Sequence, residues 1–197
     1  MIDINDLLEQ LRSESQVPAI AAIVVDPQSI LAGAALGVRR VDQPNPILLD
    51  DLFQIGSNAK AMTATVCAIL VDQGVLSWDL TPAAIFPELA KNLLPEYREI
   101  TLEMLLSHTS GLLPYTDTDD SDFILPKFGN LPIEQHIQFF ADFLMTSHPV
   151  LHPPGDQVTY SNAGYTLAAA IAERSSRQTW RELIQEKLFH PLNLRAY

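Results

Sequence analysis

Phe53 to Gly74 reads FQIGSNAKAMTATVCAILVDQG, and the fold turns on how this stretch is read. Gly56 stands just before Ser57 and Gly74 closes the apolar run, so the pattern predicts a helix with a marked start and stop. Its body (Ala59, Ala61, Met62, Ala64, Val66, Cys67, Ala68, Ile69, Leu70, Val71) is apolar almost all round, which predicts a helix buried in a core. Ser57 and Lys60 fall near its start, one turn apart on one face, a spacing that sets Cβ atoms about 5–6 Å apart. A serine hydroxyl is a poor nucleophile until a base takes its proton, and a neutral amine one turn away can be that base. Alone, Ser-x-x-Lys is a weak signal, because the same spacing arises by chance in helices whose lysine is merely solvated.

Outward from this stretch, residues 3–15 place Ile4, Leu7, Leu8 and Leu11 at helical spacing, with Asp3 as candidate cap. Val17–Val25 is a β-branched apolar run, Asp26-Pro27-Gln28-Ser29 a turn, and Ile30–Val41 a second strand candidate, so residues 17–41 read as a hairpin. Residues 44–51 read as a connecting loop. Beyond Gly74, residues 75–100 are proline-rich and predict loop with short helical turns. Thr101–Ser107 predicts a short helix ending in His108-Thr109-Ser110-Gly111. Residues 113–132 form a polar stretch holding Asp117, Asp119, Asp120 and Asp122. A calcium loop counted from Asp117 would need Gly at its sixth position and Glu at its twelfth, where Asp122 and Phe128 stand, so it reads as a solvated loop. Ile133–Met145 predicts an amphipathic helix. A proline-rich loop, 148–162, then delivers Tyr160, Ser161 and Asn162 to a helix over 163–174, with Asn162 as its candidate N-cap, and a last helix spans 179–189.

Composition bounds the function. The 197 residues are 47% hydrophobic, enough for a core and the length of one ordinary domain or part of a larger one. Twelve basic against 24 acidic residues give a net charge of −12 without Lys/Arg clusters, which argues against nucleic acid and an anionic membrane surface as partners and reads as solubility. The single cysteine, Cys67, precludes an internal disulfide and reads as a small core hydrophobe. The N-terminus MIDINDLLEQLRSES lacks the basic and apolar regions of a signal peptide, and no run reaches the roughly 18 apolar residues of a membrane span, so a cytoplasmic chain is expected. His136, His148, His152 and His190 show no metal-ligand spacing; no metal site and no cofactor are expected.

FQIGSNAK, LLSHTSGL (105–112), PPGDQVTYSNAGY (153–165) and the closing FHPLNL, in this order, resemble the serine β-lactamase-related family of class C β-lactamases, DD-peptidases and related esterases. The resemblance runs from about Val17 to Tyr197 and matches the N-terminal part of the family's domain. It implies an α+β, β-lactamase/transpeptidase-like fold: the 17–41 hairpin as part of an antiparallel sheet whose C-terminal strands are missing, and a mainly helical region over 53–175 carrying the site. It further implies that Ser57 is the acylated nucleophile, that Lys60 takes or relays its proton, and that Tyr160 is the second proton-transfer group. A phenol has an ordinary pKa near 10, so Tyr160 needs a cation such as Lys60 to lower it. Asn162 is implied to bind the substrate's amide and orient the lysine. Ala59 stands where the family usually has threonine, a change that touches no transferred proton. The HTSGL turn is implied to be structural, which sets His108 apart from a Ser-His-Asp triad.

The family's third motif, Lys-Thr-Gly or His-x-Gly, has no counterpart: Lys60, Lys91, Lys127 and Lys187 are followed by Ala61, Asn92, Phe128 and Leu188. A second oxyanion-hole N–H and the rest of the sheet are expected from a C-terminal segment or another chain, and without those strands the hairpin would keep an unpaired edge and an uncovered apolar face. Three readings follow: a serine hydrolase acting on a small-molecule ester, amide or β-lactam carbonyl through an acyl-enzyme; a catalytically inactive fragment or binding module derived from the family; or an unrelated helical protein.

Overall fold

The computed structural model describes residues 3–116 and 127–196; Asp117, Asp119, Asp120 and Asp122, and with them the calcium reading, lie outside the described residues. The chain divides into two compact units, Met1–Gln54 and Ile55–Tyr197, and the division falls at the start of the central stretch.

The first unit holds helix α1 (Asn5–Ser15) and strands β1 (Ala19–Val25), β2 (Ile30–Arg40) and β3 (Gln43–Pro46), in an antiparallel sheet of order β1-β2-β3. The β1–β2 register runs from Ala19 opposite Gly37 to Val24 opposite Ala32. Asp26 closes the hairpin by accepting the Gln28 and Ser29 N–H groups at 2.8 and 2.6 Å, which also lowers its carboxyl pKa. Gly37 (φ 102°) is required where it stands, since a Cβ there would lie 2.1 Å from the Pro18 carbonyl oxygen. The sequence reading of 44–51 as plain loop is corrected in part: Pro46 pairs with Val38 and Gln43 with Arg40, forming a third strand. Proline escapes a strand prediction because it lacks a ladder donor, yet it is tolerated on an edge strand such as this one. The N-cap of α1 is Ile4, not Asp3; Asp3 stands one residue earlier and accepts from the backbone and side chain of Asn5, the first residue of the helix. Among the described residues β1 pairs only with β2, and Ile23, Val24, Val25 and Ile30 at the hairpin tip are exposed.

The second unit is helical: α2 (Asn58–Asp72), α3 (Pro82–Ile85), α4 (Leu102–Leu106), α5 (His136–Ser147), α6 (Asn162–Ser176) and α7 (Trp180–Ile184), the last continued by a wide π turn over Gln185–Phe189. Helix α6 is its axis. Ala163, Leu167, Ala168, Ala170 and Ile171 are buried, and the small alanines among them let α2, α4 and α5 approach closely. Phe140, Ala141, Leu144 and Met145 of α5, Leu102 and Leu105 of α4, and Val66, Cys67 and Leu70 of α2 complete one core. The expectation that α2 is buried all round is corrected. Thr63, Val66, Cys67 and Leu70 form one buried face, while Ala61 and Thr65 on the other side are exposed. Composition alone cannot distinguish a helix with partners all round from one that has them on a single side. No helix of the described residues is long and apolar enough to cross a membrane.

Candidate active site

Four backbone bonds stitch two of the sequence motifs together. The Leu151, Gly155, Thr159 and Asn162 N–H groups donate to the carbonyls of Gly111, Thr109, His108 and Pro114, at 2.8, 2.8, 2.8 and 2.7 Å. This clamps the 151–162 loop along the HTSGL turn. Gly111 (φ 75°) is indispensable to the clamp, because a Cβ there would sit 2.1 Å from the His152 carbonyl oxygen.

The clamped loop hands over to α6 through Ser161, and here the sequence reading is corrected: Ser161, not Asn162, is the N-cap, and the helix begins at Asn162. Ser161 Oγ accepts from the Gly164 N–H at 3.0 Å and donates to the Leu113 carbonyl at 2.6 Å, with the residue fully buried. Serine and asparagine are comparable N-caps, so their adjacency left the register open by one residue.

That one-residue shift frees the Asn162 side chain. Its Oδ1 accepts from Lys60 Nζ at 2.6 Å and its Nδ2 donates to the Tyr115 carbonyl at 2.7 Å, so it fixes the lysine from one side. On the facing helix, Gly56 (φ 52°) turns the chain into Ser57, which occupies the N-cap of α2. Ser57 makes no capping bond, and its Oγ turns to the site instead. It accepts from Lys60 Nζ at 3.2 Å and from Tyr160 OH at 2.6 Å. Lys60 Nζ also lies 4.8 Å from the Tyr160 ring centroid and 5.6 Å from that of Tyr165. Hydrogen bonding by Lys60 and then by Ser57 lowers the Tyr160 phenol pKa; burial opposes this, and the lysine charge adds a lesser lowering.

The four sequence candidates Ser57, Lys60, Tyr160 and Asn162 therefore converge on one hydrogen-bonded cluster. Ser57 and Tyr160 are exposed, while Lys60 and Asn162 are half-buried. A cleft of about 360 Å³ opens beside Ser57 and Lys60, walled further off by Ile137, Thr166, Ala169 and Trp180. Chemically, the cluster offers a hydroxyl at a helix N-terminus, where the dipole favours a developing anion, beside two groups able to exchange its proton.

Two neighbours escaped the sequence reading as members of the site. Tyr165 donates its hydroxyl to the Leu106 carbonyl at 2.8 Å and presents its ring to Lys60. Ser161 could have been found, since serine preceding an alanine-rich helix is a preferred N-cap. His136, His148, His152 and His190 stay outside the cluster; His152 bonds Thr159 Oγ1 at 2.7 Å, and His136 bonds the Leu131 carbonyl at 3.1 Å.

A sheet-bearing N-terminal unit, a helical unit, and a serine–lysine pair at the head of its central-stretch helix define a β-lactamase/transpeptidase-like hydrolase fold. Consistent with this, the model of the Beta-lactamase family matches residues 4–197, and the chain belongs to that family. It is 33% identical over 192 residues to penicillin-binding protein 4 of Amycolatopsis lactamdurans, covering 96% of this chain and 47% of the relative. Among solved structures it matches SurE with D-Leu at TM-score 0.74 and 26% identity, covering 97% of this chain and 39% of that one. The octameric penicillin-binding protein homologue from Pyrococcus abyssi superposes at TM-score 0.78 and 24% identity, covering 98% and 44%, a likeness of fold. The chain spans about half the length of the curated relative or less: 47%.

Proposed function

We propose that this chain carries the nucleophile side of a serine acyl-transfer site, with Ser57 as nucleophile, Tyr160 and Lys60 as its proton-transfer groups and Asn162 as the residue that orients Lys60 and meets the substrate amide. One observation carries the reading: Ser57 Oγ is within hydrogen-bonding distance of both Lys60 Nζ, 3.2 Å, and Tyr160 OH, 2.6 Å. A hydroxyl needed only for capping would bond backbone N–H groups of its own helix, and Ser57 does not.

In the mechanism, Tyr160 as phenolate takes the Ser57 proton across the short contact, while the Lys60 ammonium holds the phenolate charge. Ser57 Oγ attacks an ester, amide or β-lactam carbonyl carbon, and the carbonyl oxygen becomes an oxyanion at the N-terminus of α2. The Tyr160 proton passes to the leaving nitrogen or oxygen as its bond to carbon breaks. Water gives a proton to Tyr160 as it attacks the acyl carbon, and that proton passes to Ser57 Oγ as the acyl C–Oγ bond breaks, releasing the acid and the free serine. The substrate class is a small molecule with an acyl carbonyl. One relative is named penicillin-binding protein 4 and one solved neighbour is SurE with D-Leu, which favours peptide-like amides and β-lactams within that class. The proposal includes residues 1–197 as the N-terminal part of one hydrolase domain, completed by a C-terminal segment or another chain that supplies the third motif and a second oxyanion donor. It also includes a cytoplasmic location.

The absence of a Lys-Thr-Gly or His-x-Gly sequence from these residues favours a second reading, a family-derived binding module or fragment inactive by itself. Losing one oxyanion donor costs on the order of 10²–10³ in kcat. Intact mass after exposure to a fluorophosphonate separates the two. A one-probe mass gain in the folded chain, gone in Ser57→Ala, supports the hydrolase reading; a folded chain that stays unlabelled overturns it for these residues.

A further inference from the structure

Tyr160 is exposed, and a proton-transfer group has to be held still within tenths of an ångström to work. Its own side chain touches Ser57 and Lys60, the groups it serves, so something else must hold its backbone. One residue holds the backbone on either side of Tyr160, through the N–H of the residue before it and the N–H of the residue after it. The Thr159 N–H donates to the His108 carbonyl oxygen at 2.8 Å, and the Ser161 N–H donates to His108 Nδ1 at 3.1 Å. The His108 ring lies near the Tyr160 ring, centroids 4.6 Å apart, and near the Tyr165 ring at 5.0 Å.

We propose that His108 is a positioning residue for the acyl-transfer site: its carbonyl and Nδ1 clamp the backbone on both sides of Tyr160, and its ring braces the phenol against Ser57. The proposal rests on the reading of Tyr160 as a proton-transfer group, and it goes beyond a turn that merely shapes the loop. It requires the neutral imidazole with its proton on Nε2, since Nδ1 must accept. Burial, and then the nearby Lys60 charge, lower the His108 pKa and so favour that neutral form. The residue also pays a conformational cost to stand here, at φ 62°, a region non-glycine residues avoid.

That backbone angle suggests a clean comparison. Glycine and asparagine both tolerate a positive φ, and only asparagine returns an acceptor to the Nδ1 position. Two readouts are taken on the full chain and on His108→Gly and His108→Asn, each shown folded by circular dichroism: the Tyr160 titration by 13Cζ-tyrosine NMR, assigned with Tyr160→Phe, and the rate of fluorophosphonate capture. The expected result is a Tyr160 titration below the ordinary tyrosine range in the wild type, raised in His108→Gly and returned part-way in His108→Asn. Capture slows by about 10²-fold in His108→Gly, the cost of an ångström-scale misplacement, and recovers part-way in His108→Asn. Titration and capture in His108→Gly within about twofold of the wild type overturn the proposal, as does His108→Asn performing no better than His108→Gly. If the wild type captures no probe, the hydrolase reading fails and the titration alone decides the clamp. If His108→Gly does not fold, 15N spectra of the wild-type imidazole decide: coupling between Nδ1 and the Ser161 N–H supports the clamp, and a proton on Nδ1 overturns it.

Discussion

Replacing Ser161 by alanine removes two buried hydrogen bonds at the junction that delivers Tyr160 and Asn162. One is the N-cap bond from the Gly164 N–H, 3.0 Å, and the other the bond to the Leu113 carbonyl, 2.6 Å. Loss of a serine N-cap costs about 1 kcal/mol. Leaving a carbonyl without its partner in a buried setting costs about 1–3 kcal/mol more. With Ser161 fully buried, water has no route to replace either, so Ser161→Ala should destabilise the helical unit by about 2–4 kcal/mol. Urea unfolding followed by tryptophan fluorescence reads this directly, because Trp78 and Trp180 both lie in the Ile55–Tyr197 unit. At a slope of about 2 kcal/mol/M, the midpoint should fall by about 1–2 M. A shift below about 0.5 kcal/mol with an unchanged slope would refute the assignment of Ser161 as a satisfied cap and tie.

Three further outcomes follow from the same geometry. Ionised Tyr160 is favoured in the folded chain by Lys60 and Ser57, so the folded pKa lies below the ordinary value of 10.0. The stabilisation is present above the ordinary value and is lost as pH falls through the lowered one; fluorophosphonate capture should accordingly rise with pH to a midpoint below that of free tyrosine, and Lys60→Met should push the midpoint up. Gly111→Ala forces a Cβ to within 2.1 Å of the His152 carbonyl oxygen at φ 75°, so its urea midpoint should fall by an amount equivalent to about 1–3 kcal/mol, with none of the gain that Gly→Ala brings at ordinary helical positions. The Cys67 thiol is buried and its pKa is pushed up to about 12 by that burial. Iodoacetamide at pH 8 should leave it unmodified in the folded chain and alkylate it in urea, as mass spectrometry will show; rapid native labelling would contradict the packing of α2.

What the residues disclosed and what they hid have physical causes. The helix at 58–72 was legible because Gly56 and Gly74 punctuate an apolar run, and the short helix of Thr101–Ser107 was read from its apolar positions, though not that Thr101 caps it by accepting the Met104 N–H at 3.2 Å. The convergence of Ser57 with Tyr160 was legible only through the resemblance: their separation along the chain leaves no local period to betray a 2.6 Å contact. The burial of α2 was overstated because one-sided packing leaves no mark in a run of alanine and valine. The strand at 43–46 was missed because proline removes the ladder donor that strand preference presumes, while Ile47 just after it still donates its N–H to the Gly37 carbonyl of β2 at 3.1 Å. His108 was read as part of a structural turn, and nothing in its neighbours in sequence reveals that its Nδ1 faces the Ser161 N–H.

The measurement that bears most directly on the central claim is the rate of fluorophosphonate capture at Ser57 in the wild type, Tyr160→Phe, Lys60→Ala and Ser57→Ala, located by peptide mass spectrometry. The account predicts probe on Ser57 alone and no capture in Ser57→Ala. It predicts capture slowed by about 10²–10⁴-fold in Tyr160→Phe and Lys60→Ala, as loss of a proton-transfer group requires. Capture at wild-type rate in Tyr160→Phe and Lys60→Ala, or a probe found on a residue other than Ser57, would contradict it.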